Sequence, residues 1–187
     1  MSASNLAHQS KPGGGSIERE ALLSAARDAV LAARTAPKGK GRDLLYAAIL
    51  VEAEKDALAE RMEEIARERD HKGFLRDAGN VRTAEAIILV GAAMERMGLS
   101  PCGLCGYLDC AANEEAASLC AFAPGDLGIA IGSLVSILAD RRVDNRVMYT
   151  AGVAALKFGL FPPEVRIAYG IPLSATGKSP FFDRKNR

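Results

Sequence analysis

Cys102, Cys105, Cys110 and Cys120 are all the cysteines of this 187-residue chain, and they fall within nineteen residues. The spacing is C-x2-C-x4-C-x9-C, with Gly103 and Gly106 directly after the first two thiols. Cysteines scattered through a core would not cluster in this way. Four thiolates are a full ligand set for one metal centre, so the segment is expected to curl until its sulfurs face a common space. Glycine suits that curl, because it reaches positive φ without steric cost. Three readings follow. Short glycine-bearing loops suit an iron–sulfur cluster, with backbone N–H groups turned toward sulfide. Structural zinc more often uses two matched C-x2-4-C knuckles or adds histidine, and Cys110 and Cys120 stand too far apart for a knuckle. The third reading is thiols or disulfides without metal, since cysteine also serves as a small buried hydrophobe. The spacing favours the cluster, closed by Cys120 at the end of a short helix over residues 111–119.

A disulfide scaffold belongs to small secreted domains. The first seventeen residues hold His8, Gln9, Lys11 and three consecutive glycines, and they contain no apolar signal region. No run of about 18 apolar residues reads as a membrane span. The chain is therefore expected to be cytoplasmic. Its 24 basic and 23 acidic residues nearly cancel. That balance gives no electrostatic case for nucleic acid or an anionic membrane. Aromatics are only 5%, too few for base-stacking platforms.

Residues 1–16 are polar and glycine-rich and read as a disordered tail. Leu22, Ala25, Ala26, Ala29, Val30 and Ala33 recur at helical spacing. A basic loop over residues 34–42 follows. Residues 44–51 read as a strand and residues 54–69 as an amphipathic helix. Residues 71–80 read as a polar loop with at most a short helical turn, and His71 as an ordinary loop residue. Ile87, Ile88, Leu89 and Val90 mark a second, buried strand. Asp126 is expected to cap an apolar helix, in which Gly128 and Gly132 would admit a closely packed neighbour. Asp144 is expected to cap a helix over residues 145–159 that stops at Gly159. A third strand covers residues 165–169, and residues 170–187 read as an extended tail. Arg141, Arg142 and Arg146 are expected to pair with Asp140 and Asp144. Strands alternating with helices imply a layered sandwich. Residues 17–187 read as a single α/β domain, with the cysteine segment at 101–121 as a small insert.

The run Ser174, Ala175, Thr176, Gly177, Lys178, Ser179 is no phosphate-binding P-loop, because Pro172 stands where the first glycine is required. No Gly-x-Gly-x-x-Gly fingerprint follows a strand, which removes a nicotinamide site of the Rossmann type. With only His8 and His71, no Ser-His-Asp or Cys-His arrangement is readable. In the basic loop, Arg34, Lys38, Lys40 and Arg42 could hold a phosphate, or form a solvated surface.

Several motifs resemble known families. The cysteine run from Cys102 to Cys110, Cys120 with Ala121 and Phe122, the stretch from Asp126 to Ser133 and the stretch from Ile167 to Lys178 together resemble an uncharacterised prokaryotic family described as containing a ferredoxin domain. The resemblance spans residues 17–184 and implies an iron–sulfur cluster on Cys102, Cys105, Cys110 and Cys120. The opening Cys-Gly-x-Cys-Gly-x3-Cys is also similar to four-iron modules of corrinoid and electron-transfer proteins, which implies a 4Fe-4S cluster. A second resemblance concerns the scaffold. Ala33 to Pro37 before a strand and helix, Asp126-Leu-Gly-Ile-Ala before a long helix, and a late strand ending at Pro172 resemble flavin-dependent nitroreductases. That resemblance implies a three-layer α+β sandwich, a homodimer, and FMN held by Arg34, Thr35, Ala36, Pro37, Lys38 and Arg184. The usual pair of adjacent arginines near the first helix is absent. The expectation is an iron–sulfur redox protein, for electron transfer or as an oxidoreductase, on a nitroreductase-like scaffold. The alternative is a non-enzymatic module, holding zinc or a labile cluster for structure or redox sensing.

Overall fold

A computed structural model describes Ser10 and residues 14–182, so the expected N-terminal tail and Arg184 fall largely or wholly outside the described residues. Six helices and four strands follow in the order α1 (Ser16–Thr35), β1 (Leu45–Val51), α2 (Glu52–Arg69), α3 (Lys72–Thr83), β2 (Ala86–Ala93), α4 (Cys110–Glu115), α5 (Phe122–Asp140), β3 (Asp144–Asn145), α6 (Tyr149–Lys157) and β4 (Val165–Ser174). A short 3-10 turn, Gly39–Gly41, lies between α1 and β1.

The sheet runs β1-β2-β4-β3, and every pairing is antiparallel. All eight residues of β2 are buried. Alternate side chains of a strand point to opposite faces, so a central strand buried on both sides is apolar throughout. Ile88, Val90 and Ala92 join one core with Ala25, Ala26 and Ala29 of α1 and Leu127, Leu134 and Leu138 of α5. Ile87 and Leu89 join the other with α2, α3 and α6. Three layers result, as the α+β reading expects. Each fully buried leucine contributes roughly 2 kcal/mol of transfer free energy. Alanine on α1 lets α5 approach closely.

The segment expected to be a loop, residues 71–80, lies mostly in helix α3. Phe74, Ala78 and Val81 bury one face of it, with Asp77 between them. His71 is its N-cap, where Nδ1 accepts the Gly73 N–H at 3.1 Å. Strand β4 continues past Tyr169 to Ser174, so the extended tail begins later than expected. Gly170 and Pro172 masked that continuation. Gly170 exchanges both backbone bonds with Met148, so Pro172, two residues on, faces the same side. There β3 pairs only with Leu173 and Ser174, and the missing proline N–H costs no ladder bond.

Asp144 caps no helix. It lies in β3 opposite Ser174, and α6 starts at Tyr149 with no side-chain cap. The stop at Gly159 holds: its φ is +71°, and the Leu160 N–H reaches the Ala155 carbonyl at 2.9 Å. Arg141 pairs with Asp28 of α1, and Arg146 donates to the Phe181 carbonyl at 3.0 Å, so neither joins the expected local ion pairs. One described helix, α5, is long and apolar enough to cross a membrane by length and composition. Its leucines instead fill the core between α1 and the sheet.

Candidate metal centre

The end of β2 delivers the chain to the cysteine segment. The Ala93 N–H bonds to the Leu44 carbonyl and the Met94 N–H to the Glu164 carbonyl, both at 2.9 Å. The next three residues are held by the basic loop. Arg42 donates to the Arg96 carbonyl at 3.1 Å and pairs with Glu95 at 3.2 Å. Lys40 Nζ donates to the Met97 carbonyl at 3.2 Å. Gly39 packs so tightly that a Cβ there would stand 3.0 Å from Phe122 and 3.3 Å from Met97.

Beyond Met97 the chain turns sharply twice. Gly103 and Gly106 have φ of +72° and +82°, and the Gly106 N–H closes on the Gly103 carbonyl at 2.9 Å. Only glycine adopts both conformations without strain, which explains its place after Cys102 and Cys105. Asp109 then caps α4 through the Ala112 N–H at 2.9 Å, and Cys110 is the first helical residue. The helix is shorter than the expected 111–119. It ends at Glu115, and Ala117 turns the chain at φ +49°. Cys120 therefore comes from the link into α5, not from a helix end. The Tyr107 and Ser118 hydroxyls lie 2.7 Å apart and tie the front of the segment to its back.

All four cysteines line one cleft, with about 350 Å³ of free space counted to its open mouth. Met97, Leu99 and Phe122 form its apolar floor. Cys120 is buried, Cys105 and Cys110 are half-buried, and Cys102 is exposed; all four are free thiols. Among the described residues, no three histidine, cysteine, aspartate or glutamate side chains converge where one metal ion could be held. A tetrahedral zinc needs sulfurs about 3.8 Å apart, from a Zn–S bond of about 2.3 Å, and a four-iron cluster gives each thiolate its own iron. The four thiols on this cleft are the residues that would hold either group.

Asp126 does not cap α5, which begins four residues earlier. Pro124 sits in the first turn, where its missing N–H costs nothing. The Asp126 carboxylate accepts the Gly39 N–H at 3.0 Å instead and fastens the basic loop to α5. Gly125, Gly128 and Gly132 meet no neighbour within 4 Å, so the close packing expected there is not made within the chain.

Of the residues carried over for a flavin phosphate, Arg34, Thr35 and Lys38 have internal partners. Arg34 Nη1 binds Asp43 and the Leu45 carbonyl, each at 2.7 Å. Lys38 Nζ donates to the carbonyls of Ala33, Arg34 and Ala36 at 3.2, 2.6 and 2.8 Å, closing the C-terminus of α1. Thr35 bonds back to the Leu31 carbonyl at 3.1 Å, and Ala36 is buried, while Pro37 is exposed. Lys38 and Arg42 line a depression of about 260 Å³, but Asp126 shares it. Three amine protons meet three carbonyls at Lys38. An incoming phosphate would have to displace them.

A family of proteins described as "uncharacterized protein containing a ferredoxin domain" matches residues 116–184. An uncharacterized protein of Archaeoglobus fulgidus is 41% identical over 176 residues, across 90% of this chain and 94% of that one. This chain belongs to that ferredoxin-domain family. The matched segment includes Cys120 but begins after the other three cysteines. The fold is that of the nitroreductases. A nitroreductase of Bacteroides fragilis with bound FMN superposes with a TM-score of 0.60 at 12% identity, covering 88% of this chain and 82% of that one. A nitroreductase of Desulfitobacterium hafniense with bound FMN gives 0.56 at 18% identity, covering 91% and 84%. An iodotyrosine deiodinase bound to FMN and 3-iodo-L-tyrosine gives 0.59 at 10% identity, covering 96% and 89%.

Proposed function

We propose that this chain is an iron–sulfur redox protein, in which Cys102, Cys105, Cys110 and Cys120 hold one cluster of the four-iron type. The observation that carries the reading is the gathering of all four thiols on one cleft. Membership of a ferredoxin-domain family supports it. Such a cluster would supply one-electron transfer. The chain's own part is to aim the thiols, shield Cys120 among apolar groups and keep Cys102 near the surface, where a redox partner can approach.

The nitroreductase scaffold supports an oxidoreductase by analogy of fold alone. FMN is not part of the proposal, because Arg34 and Lys38 are engaged inside the chain. The scaffold also supports a homodimer. α5 leaves Gly125, Gly128, Ile129 and Gly132 exposed along an apolar helix.

The test is an anaerobic preparation analysed for iron, sulfide, zinc and flavin, with a visible spectrum. Iron and sulfide near four per chain, with charge-transfer absorption lost in Cys105→Ser, is the expected result. Unchanged absorption in that variant removes the ligand assignment. The exposure of Cys102 favours a second reading, a thiol sensor or zinc module, because accessible clustered thiols oxidise readily. Zinc at one per chain without sulfide would establish it in place of the cluster.

A further inference from the structure

Arg96 and Asn113 line the cysteine cleft without being thiols. Asn113 lies in α4, three residues after Cys110, and is only 1% exposed. Its Nδ2 donates to the Leu119 carbonyl at 3.1 Å, directly before Cys120. Its own carbonyl accepts the Ser118 N–H at 3.1 Å. One buried amide therefore fixes the spacing between the third cysteine and the fourth.

Arg96 holds that amide from outside α4. Its Nε donates to Asn113 Oδ1 at 2.9 Å, and its Nη2 to the Asn113 carbonyl at 3.3 Å. Nη1 lies 3.5 Å from Glu114. The arginine is itself anchored, because its carbonyl accepts from Arg42 and the following carbonyl from Lys40. A continuous path thus runs from the basic loop through Arg96 to the hinge between Cys110 and Cys120. Among the described residues, Arg96 is also the one cation lining the cleft, and the one lining carboxylate, Asp109, is bonded to the Ala112 N–H.

We propose that Arg96 is a positioning residue for the four-thiolate centre, setting the Cys110–Cys120 geometry through Asn113 and opposing the negative charge of a bound cluster. This inference rests on the reading of the thiols as cluster ligands. Four thiolates around a cluster leave the centre anionic, and reduction adds another negative charge. A fixed guanidinium at the wall favours the reduced form and raises the potential. Outer partners that orient ligands are worth about 10- to 100-fold in metal affinity.

The experiment uses the full chain, reconstituted anaerobically with ferrous iron and sulfide, as wild type, Arg96→Gln and Arg96→Lys. Iron loss to a ferrous chelator and the midpoint potential are read for each, with far-ultraviolet dichroism to confirm folding. The expected result for Arg96→Gln is iron loss about 10-fold faster or more, as the affinity lost with a partner that orients a ligand is read in the release rate, with a more negative potential. Arg96→Lys keeps the charge but not the two-point bond to Asn113, so it should lose iron faster at a nearly native potential. Wild-type iron loss and potential in Arg96→Gln would overturn the proposal. If that variant does not fold, wild-type iron loss in Arg96→Lys overturns it. Failure of the wild type itself to take up iron and sulfide defeats the cluster reading, and the proposal with it, before any variant is compared.

Discussion

Arg34 and Asp43 close the base of the basic loop with a 2.7 Å ion pair. Burial pushes the Asp43 carboxyl up, but the Arg34 hydrogen bond, the Leu45 N–H and the charges of Arg34 and Lys38 outweigh it and hold the pKa below the ordinary 3.8. A carboxylate with a lowered folded pKa stabilises the fold above its unfolded value and loses that contribution as pH falls through the folded one. The pair is partly exposed, so the effect is modest. Arg34→Gln should therefore be less stable than wild type near neutral pH, and the gap should close as pH falls below 3.8. Denaturant melts at pH 7 and at low pH check this, and a gap that is constant across both would refute the pair's role. Residue-level roles of this kind were poorly legible in the sequence. Lys55 sits among the charges of α2, yet it is buried, with Nζ on the Val81 and Arg82 carbonyls at the end of α3. Nothing local marks a lysine that caps a different helix. The Arg96–Asn113 bond was hidden for the same reason, since it joins two unremarkable residues seventeen apart.

At the scale of elements, α6 lies directly on β4 because Gly152 has no side chain. A Cβ there would stand 1.8 Å from the Ala168 carbonyl oxygen and 2.7 Å from the Tyr169 nitrogen. These are backbone atoms of a paired strand and cannot move aside as a side chain could. Gly152→Ala should destabilise the fold by about 3 kcal/mol or more, at the upper end of overpacking costs. Chemical denaturation reads this directly, and a loss under about 1 kcal/mol would mean that the helix can shift freely. Elements with strong periodicity, such as α1, β1, α2 and β2, were legible to within a few residues. α3 was not, because Gly73, Gly79 and Asn80 lower helix propensity while its burial comes from tertiary packing. The end of β4 was obscured by Gly170 and Pro172, whose tolerance depends on a neighbouring strand that pairs only briefly. The cysteine cleft was legible as a whole because its spacing is dense, but the start of α5 was not. Pro124 and Gly125 suggest a break where the helix has already begun.

For the whole molecule, the open question is what covers α5. An apolar helix at the surface of a sandwich should be buried on both sides, yet only one side of α5 meets this chain. Leu127, Ala130, Leu134 and Leu138 face the core, while Gly128, Ile129 and Gly132 are exposed, and a Cβ added at Gly128 or Gly132 would meet no neighbour within 4 Å. Exposed glycine at four-residue spacing lowers helix propensity without any gain inside the chain. A partner that brings another backbone close would supply that gain. The proposed homodimer does so if two copies of α5 or its flanks meet, and sedimentation of the full chain should then give twice the 19.7 kDa chain mass. Ile129→Glu places a charge in that contact. It should shift the protein toward monomer while leaving far-ultraviolet dichroism unchanged, because Ile129 does not belong to either core. A wild type that sediments as a monomer at micromolar concentration would end the dimer proposal. A dimer that persists in Ile129→Glu would move the interface to another face and leave the glycines of α5 without an account.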